Sequence, residues 1–323
     1  MRNSLFPALV AAAALLASCS IIDENLDDCG VNNKMVYRLK LITNIQTELD
    51  QQLGSADERP VANALRQSLN GIFTDMAHDI DLSFYNTANI REKHEQHIMN
   101  ASQAEYVVYL PERDYRNLAV ANITNATNVT LESDDNTPTT MKLLQQQGDT
   151  IDSHTTGMFT ARKTIEVCNC TESFNVELYM ANSCAALVVD TAGVGIRGMK
   201  VLTQDFATSF AVSDSTYAYQ ANPLIRSVEV PTNGQHYTCH YAVSFPSRHT
   251  RSDGLFRIKA YVTLPDGTTT ENIITVEQPL MAGYLKIIKM KMKPNGSLTP
   301  LSQDVGVSVT LNWKQGGTYE PEV

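Results

Sequence analysis

Apolar and polar residues alternate with a period of two along much of this chain, most clearly near its C-terminal end. In Val305-Gly306-Val307-Ser308-Val309-Thr310-Leu311-Asn312-Trp313 each odd position is apolar and each even one small or polar, the pattern of a strand with one buried face. The same alternation runs through Phe174 to Met180 and through Ile288 to Lys293, where the lysines take the wet face. It recurs in Phe256 to Leu264, which runs into Pro265-Asp266-Gly267 and then a further strand pattern at Thr269 to Val276. Pro presets φ and Gly accepts positive φ, so the chain is predicted to reverse there into a hairpin.

The first half is less uniform. Met35 to Ile45, Ile80 to Tyr85, Ala104 to Leu110 and Leu118 to Ile123 read as strands. Between them Val61, Leu65, Leu69 and Ile72 recur at helical spacing, with Pro60 near the start and Gly71 near the end. That predicts a short helix over Pro60 to Phe73. Residues 124 to 156 turn polar, with few apolar positions beyond Met141, Leu143 and Leu144, and so predict a domain boundary near residue 160. Short strands separated by turn signals give an all-β fold of two tandem antiparallel β-sandwiches, residues 34–160 and 161–323, with the short helix in the first.

The N-terminal pattern is of another kind. Arg2 precedes an apolar, alanine-rich run from Leu5 to Leu16, which closes on Leu16-Ala17-Ser18-Cys19. About a dozen apolar residues are too few to span a bilayer core, which takes roughly 20, so the run reads as the core of a secretory signal. An aliphatic residue and two small ones before Cys are the pattern of a bacterial lipoprotein signal. Residues 1–18 are then the removed leader, and Cys19 becomes the first residue, carrying fatty-acyl chains of the palmitate class. Each buried methylene contributes about 0.8 kcal/mol, and several chains hold a protein on a membrane where one does not. Residues 19–33 bring Asp23, Glu24, Asp27 and Asp28 with no basic residue, which suits a solvated tether.

Removing 18 of the 323 residues leaves 305, enough for two domains. There are 25 basic against 35 acidic residues and no basic patch, so nucleic acid is not an expected partner. Besides Cys19 the chain has Cys29, Cys168, Cys170, Cys184 and Cys239. An exported protein can oxidise these, but an odd number leaves at least one thiol over or pairs it outside the chain. Cys168-Asn169-Cys170 lacks the second pair that a zinc site needs, so bridging of Cys29, Cys184 or Cys239 to this region is the expected use, with connectivity open.

No catalytic constellation emerges, and neither enzyme chemistry nor a cofactor is expected. His94-Glu95-Gln96-His97 does not have the His-Glu-x-x-His spacing of a zinc protease and reads as a solvated loop or helix face. Gly193 to Gly198 lacks a βαβ context and reads as a turn between strands. The Asn-x-Thr triplets at Asn122, Asn125 and Asn128 carry no meaning behind a bacterial lipoprotein signal. Asp149-Thr150-Ile151, Asp190-Thr191-Ala192 and Asp214-Ser215-Thr216 resemble short O-glycosylation acceptors of Bacteroidetes exported proteins.

Three features taken together resemble one family: the Cys19-Ser20-Ile21 start leading through Glu24-Asn25-Leu26-Asp27-Asp28-Cys29 to a first strand, the strand pair from Phe174 to Asp190, and the terminal Val305 to Trp313 strand. The chain resembles the fimbrillin-associated anchor proteins, lipoproteins at the base of type V fimbriae in Bacteroidetes. It departs from them at Pro60 to Phe73, where an Asp-x-x-Gly hairpin is typical. The resemblance implies two transthyretin-like sandwiches and an outward-facing place on the outer membrane, held by lipid on Cys19. It further implies fimbrillin stalk subunits as partners, joined by exchange of a terminal strand. Val305, Val307, Val309, Leu311 and Trp313 have the periodicity of such a donor, and equally that of the last strand of their own sandwich. Stalk subunits are trimmed at an Arg, whereas here Arg59 precedes Pro60 and Arg38 lies inside a predicted strand, as suits an anchor that keeps its first strand.

Two other readings compete. One is a stalk or tip subunit of the same fimbria, and a tip, which accepts a strand without donating one, would keep its terminal strand paired at home. A surface glycan-binding lipoprotein needs exposed aromatic platforms, for which Tyr217-Ala218-Tyr219 is the best candidate, since the sole Trp, Trp313, sits in an alternating strand.

Overall fold

The computed structural model describes residues 33–42, 49, 51–73, 77–98, 105–168, 172–220, 222–232, 236–250, 252, 254–301 and 305–313. Residues 1–32, with the predicted leader, Cys19, Cys29 and nearly all of the predicted tether, lie outside the described residues, as does Cys170.

Strand is the dominant regular structure of the described chain, as the alternation predicts, with helix α1 at Arg59–Asn70. Seven strands form the first sheet, in the order Arg91–Ile98, Asp79–Tyr85, Asp114–Ala121, Phe159–Glu166, Glu172–Met180, Asn33–Ile42 and Glu105–Leu110. Pro60 opens α1, where a missing N–H costs nothing, and Val61, Ala62, Leu65 and Leu69 are buried along one stripe. They pack with Ile80, Leu82 and Phe84 of the first sheet in a single core. Each such aliphatic side chain contributes roughly 1.5–3 kcal/mol by leaving water.

The five-stranded sheet is ordered Val228–Val230, Tyr237–Ser244, Ser183–Asp190, Leu285–Met292 and Leu298–Pro300. It is the layer that both halves share. Cys184, Ala186 and Val188 close the core beneath α1. Ala185, Leu187 and Val189 face the opposite way, into a core completed by Ile258, Ala260, Val262 and Ile274. A strand buried on both faces reads as an unbroken apolar run, which explains Cys184-Ala185-Ala186-Leu187-Val188-Val189.

The six-stranded sheet behind the second core is ordered Val305–Trp313, Thr269–Val276, Phe256–Thr263, Gly198–Gln204, Leu224–Arg226 and Thr150–Asp152. Its central hairpin is the one the Pro-Asp-Gly turn predicts, with Thr263 opposite Thr269. Gly267 takes φ +85° and the Asp266 carboxylate accepts the Thr268 N–H at 2.8 Å. A four-stranded sheet of Thr216–Ala218, Ser209–Ala211, Lys142–Gln145 and Val129–Glu132 covers the outer face of the first sheet. There Tyr85, Leu118 and Val120 meet Met141, Leu143, Phe210 and Phe245.

Four expectations need correction. The boundary near residue 160 falls inside the first sheet, because Phe159–Glu166 pairs along its length with Asp114–Ala121, and sheet membership changes between Met180 and Ser183. Phe174 to Asp190 is therefore not one strand pair, since Glu172–Met180 and Ser183–Asp190 belong to different sheets. The polar stretch 124–156, taken to mark that boundary, carries three short strands, two of them paired with strands beyond residue 200. Three pairs are parallel within otherwise antiparallel sheets: Asn33–Ile42 with Glu172–Met180, Ser183–Asp190 with Leu285–Met292, and Thr150–Asp152 with Leu224–Arg226.

Candidate functional site

The terminal strand lies at the edge of the six-stranded sheet. Val305–Trp313 runs antiparallel to Thr269–Val276, with Val305 opposite Val276 and Leu311 opposite Thr270, and the register slips once near Thr269. Val305 is 7% exposed and Val307 packs against the second core, while Gly306 and Ser308 face solvent. The predicted inward face is thus seated at its first two positions. The backbone of Val309, Leu311 and Trp313 continues the ladder.

Among the described residues this strand has one neighbour, so its other side presents unpaired N–H and C=O groups. Its nine residues include no charge and no Pro, two of the devices that blunt an exposed edge. The edge strand Arg91–Ile98 is the contrast, because Arg91, Glu92, Lys93 and Glu95 line it.

The first strand is built into the fold. Asn33–Ile42 is bonded on one side to Glu172–Met180 and on the other to Glu105–Leu110, with Arg38 opposite both Asn175 and Glu105. Arg59 is the first residue of α1, followed by Pro60.

The histidine motif lies on a strand, not on a loop or helix. His94 Nε2 is 2.8 Å from Asp81 Oδ2, and His97 Nε2 is 2.8 Å from Glu95 Oε2. Residues three apart on a strand point to opposite faces, so the two imidazoles cannot share an ion. No group of three His, Cys, Asp or Glu among the described residues could hold a metal. Gly193 to Gly198 is the turn that the sequence predicts, with Gly193 at φ +78°.

Cys168 is disulfide-bonded. Cys184 and Cys239 are not, which corrects their place among the bridging candidates: both are free and fully buried. Cys239 sits opposite Val188, four residues along the strand from Cys184. That offset is about 13 Å at roughly 3.3 Å per residue, beyond the ~7 Å that a disulfide spans. Burial pushes the Cys184 thiol well above its ordinary value and Cys239 to about 12, so both are inert.

Tyr217 and Tyr219 do not form a platform. Tyr217 packs on Phe210 at 4.4 Å between ring centroids and donates to the Ala181 carbonyl at 2.9 Å. Tyr219 donates to the Ser247 carbonyl at 2.7 Å and lies under the Arg248 guanidinium. Of the three acceptor-like triplets, Thr191 is buried with its hydroxyl on the His236 carbonyl and Thr150 is half-buried in a strand, whereas Ser215 is exposed on a turn.

Solved structures share this architecture. An adhesin candidate from Bacteroides thetaiotaomicron superposes with a TM-score of 0.56 at 8% identity, covering 87% of this chain and 98% of its own. A candidate polysaccharide-binding protein from the same species gives 0.52 at 8% identity over 84% and 99%. The fimbrial anchor protein Mfa2 from Porphyromonas gingivalis gives 0.48 at 9% identity over 87% and 98%. Comparison with curated proteins by sequence finds no match.

The fold is thus that of the adhesin-like β-sandwich proteins. The chain belongs to the fimbrillin-A associated anchor proteins Mfa1 and Mfa2, a family whose profile matches residues 59–235, more than half of its length. The family is structural rather than enzymatic, and its members have an anchor role in fimbriae.

Proposed function

We infer that this protein is the base of a fimbrium, held on the outer face of the outer membrane by acyl chains on Cys19, and that it joins the first fimbrillin stalk subunit by β-strand exchange. The observation that carries the reading is family membership over residues 59–235. It is supported by the uncharged edge strand Val305–Trp313, which one ladder alone holds among the described residues. Such a strand can leave, or be extended by another, without opening the sheet interior. A first strand bonded on both sides suits a subunit that is not trimmed. Replacing Cys19 by Ala tests the anchor: the expected result is fimbriae shed into the medium with this protein at their base, and fimbriae that stay on such cells would overturn it.

A second reading, a stalk or tip subunit of the same fibre, draws for its tip form on the pairing of the terminal strand within its own sheet. Immunogold labelling separates the two, since an anchor is expected at the cell-proximal end alone. Glycan binding loses support because Tyr217 and Tyr219, both half-buried, commit their hydroxyls to protein carbonyls.

A further inference from the structure

The five-stranded sheet has an edge that is closed by a side chain rather than by a strand. On the outer side of Leu285–Met292, Leu298–Pro300 pairs with Met290 to Met292, and the Leu301 N–H reaches the Lys289 carbonyl at 3.0 Å. The next rungs belong to Gln52. Its Nε2 donates to the Leu285 carbonyl at 2.7 Å, and its Oε1 accepts the Ile287 N–H at 2.7 Å. One primary amide therefore makes the pair of bonds that the peptide groups of a neighbouring strand make.

The segment that carries Gln52 is clipped beside this edge. Leu49 and Leu53 are buried in the core, and Glu58 pairs with Lys289 at 2.9 Å. Next to the amide runs a groove of about 380 Å³ lined by Gln52, Leu280, Met281, Tyr284 and Ile287 among others. Met281 and Tyr284 stand 45% and 41% exposed there. The Lys289 charge is already matched by Glu58, and Lys286 donates to the Gln278 amide.

We propose that the Leu285–Ile287 edge is a strand-accepting site which Gln52 keeps closed, and that its occupant is an extended, uncharged strand of a partner subunit. The incoming backbone takes over the bonds to Leu285 and Ile287. Its apolar side chains lie in the groove on Met281 and Tyr284, and the Gln52 amide swings out to solvent. Side-chain mimicry is an economical stopper: it satisfies the edge and blocks adventitious pairing. The site is distinct from the terminal strand. Who the partner is rests on the anchor reading above, whereas the following test uses no fimbriae and stands apart from it.

The test is binding of a synthetic nonapeptide with the sequence of Val305 to Trp313, an uncharged alternating strand, to the full-length protein and to its Gln52→Ala variant. Removal of the internal competitor is expected to tighten binding at least tenfold. Hydrogen exchange at the Ile287 amide should quicken in Gln52→Ala and slow again when peptide is added. In that background Tyr284→Asp, on an exposed side chain, should abolish binding. If Gln52→Ala does not fold, Gln52→Asn, one methylene shorter, serves in its place. Equal peptide affinity with and without the Gln52 amide, or faster exchange that peptide does not reverse, would overturn the proposal and leave Gln52 as a structural cap.

Discussion

Asn182 Nδ2 lies 3.2 Å from Nδ1 of the fully buried His154, so His154 accepts there and carries its proton on Nε2, edge-on to Phe245 at 5.2 Å between ring centroids. That Nε2 meets no acceptor among the described residues. Burial lowers the His154 pKa to about 3 and that of the likewise buried His240 to about 4. Both imidazoles are therefore neutral in the fold and protonate near 6.5 when it opens. Their neutral burial is without penalty above that value and becomes destabilising as pH falls toward the folded values, because the unfolded chain then binds more protons. At pH 4.5 each costs about 2–3 kcal/mol. Urea midpoints at pH 7.5 and 4.5 should differ less in His154→Gln than in the wild type, and an undiminished acid loss in the variant would refute this.

A second polar unit, centred on one buried carboxylate, sits at the six-stranded sheet. Asp205, 1% exposed and at φ +76°, accepts Arg257 Nε at 2.8 Å and Asn222 Nδ2 at 3.0 Å, while its own N–H donates to Asn222 Oδ1 at 2.8 Å. Removing the carboxylate leaves the part-exposed Arg257 guanidinium with the neutral Gln204 amide oxygen but no counter-charge, so Asp205→Ala should lose about 1–3 kcal/mol. Asp205→Asn should lose less, since Asn tolerates the left-handed backbone and keeps one acceptor oxygen. Chemical denaturation of the two variants checks the order, and equal losses would count against it.

A third test concerns the joint between α1 and the first sheet. The Gly157 N–H donates to the Ile72 carbonyl at 2.8 Å, and a Cβ on residue 157 would stand 2.6 Å from that same oxygen. The oxygen is backbone, so one of the two chains must move. Gly157→Ala is expected to cost about 1–3 kcal/mol and to lower the melting temperature, and a variant as stable as the wild type would show that the joint gives way freely.

What could be read ahead of the structure depended on how far each element's pattern ran. The Phe256–Val276 hairpin and α1 were legible because each repeats its period several times and is punctuated by Pro and Gly. Arg91–Ile98 was hidden, because an edge strand on the wet flank of a sheet carries charge instead of alternation. Val129–Glu132, Lys142–Gln145 and Thr150–Asp152 are too short to show a period, and two of them pair with strands beyond residue 200. Their polar neighbours are structural: Asn128 donates to the carbonyls of Asp152 and Ser153 at 3.1 and 2.7 Å. Of the candidate interface, the terminal strand was visible in the sequence, but the role of Gln52 was not. A lone glutamine has no signature, and its partners lie more than 200 residues away.

Whether Val305–Trp313 can be traded between chains is decided by removing it. A chain ending at Asp304 bares the outer side of Thr269–Val276, where Ile274 and Val276 are buried in the second core. It also loses Val305, 7% exposed, from that core. Burial alone puts the loss at about 2–3 kcal/mol for one Val side chain, before the broken ladder is counted, so the truncated chain should melt well below the wild type and bind dyes that report exposed apolar surface. Adding the Val305 to Trp313 nonapeptide in trans should restore the melting temperature saturably, because the vacated edge offers both a backbone ladder and an apolar seat. A peptide in which Val305 and Val307 are replaced by Asp should not, since both positions face the core. If the wild-type peptide restores nothing, the strand folds only as part of its own chain, exchange through it is ruled out, and the joint to the stalk must be made at another edge.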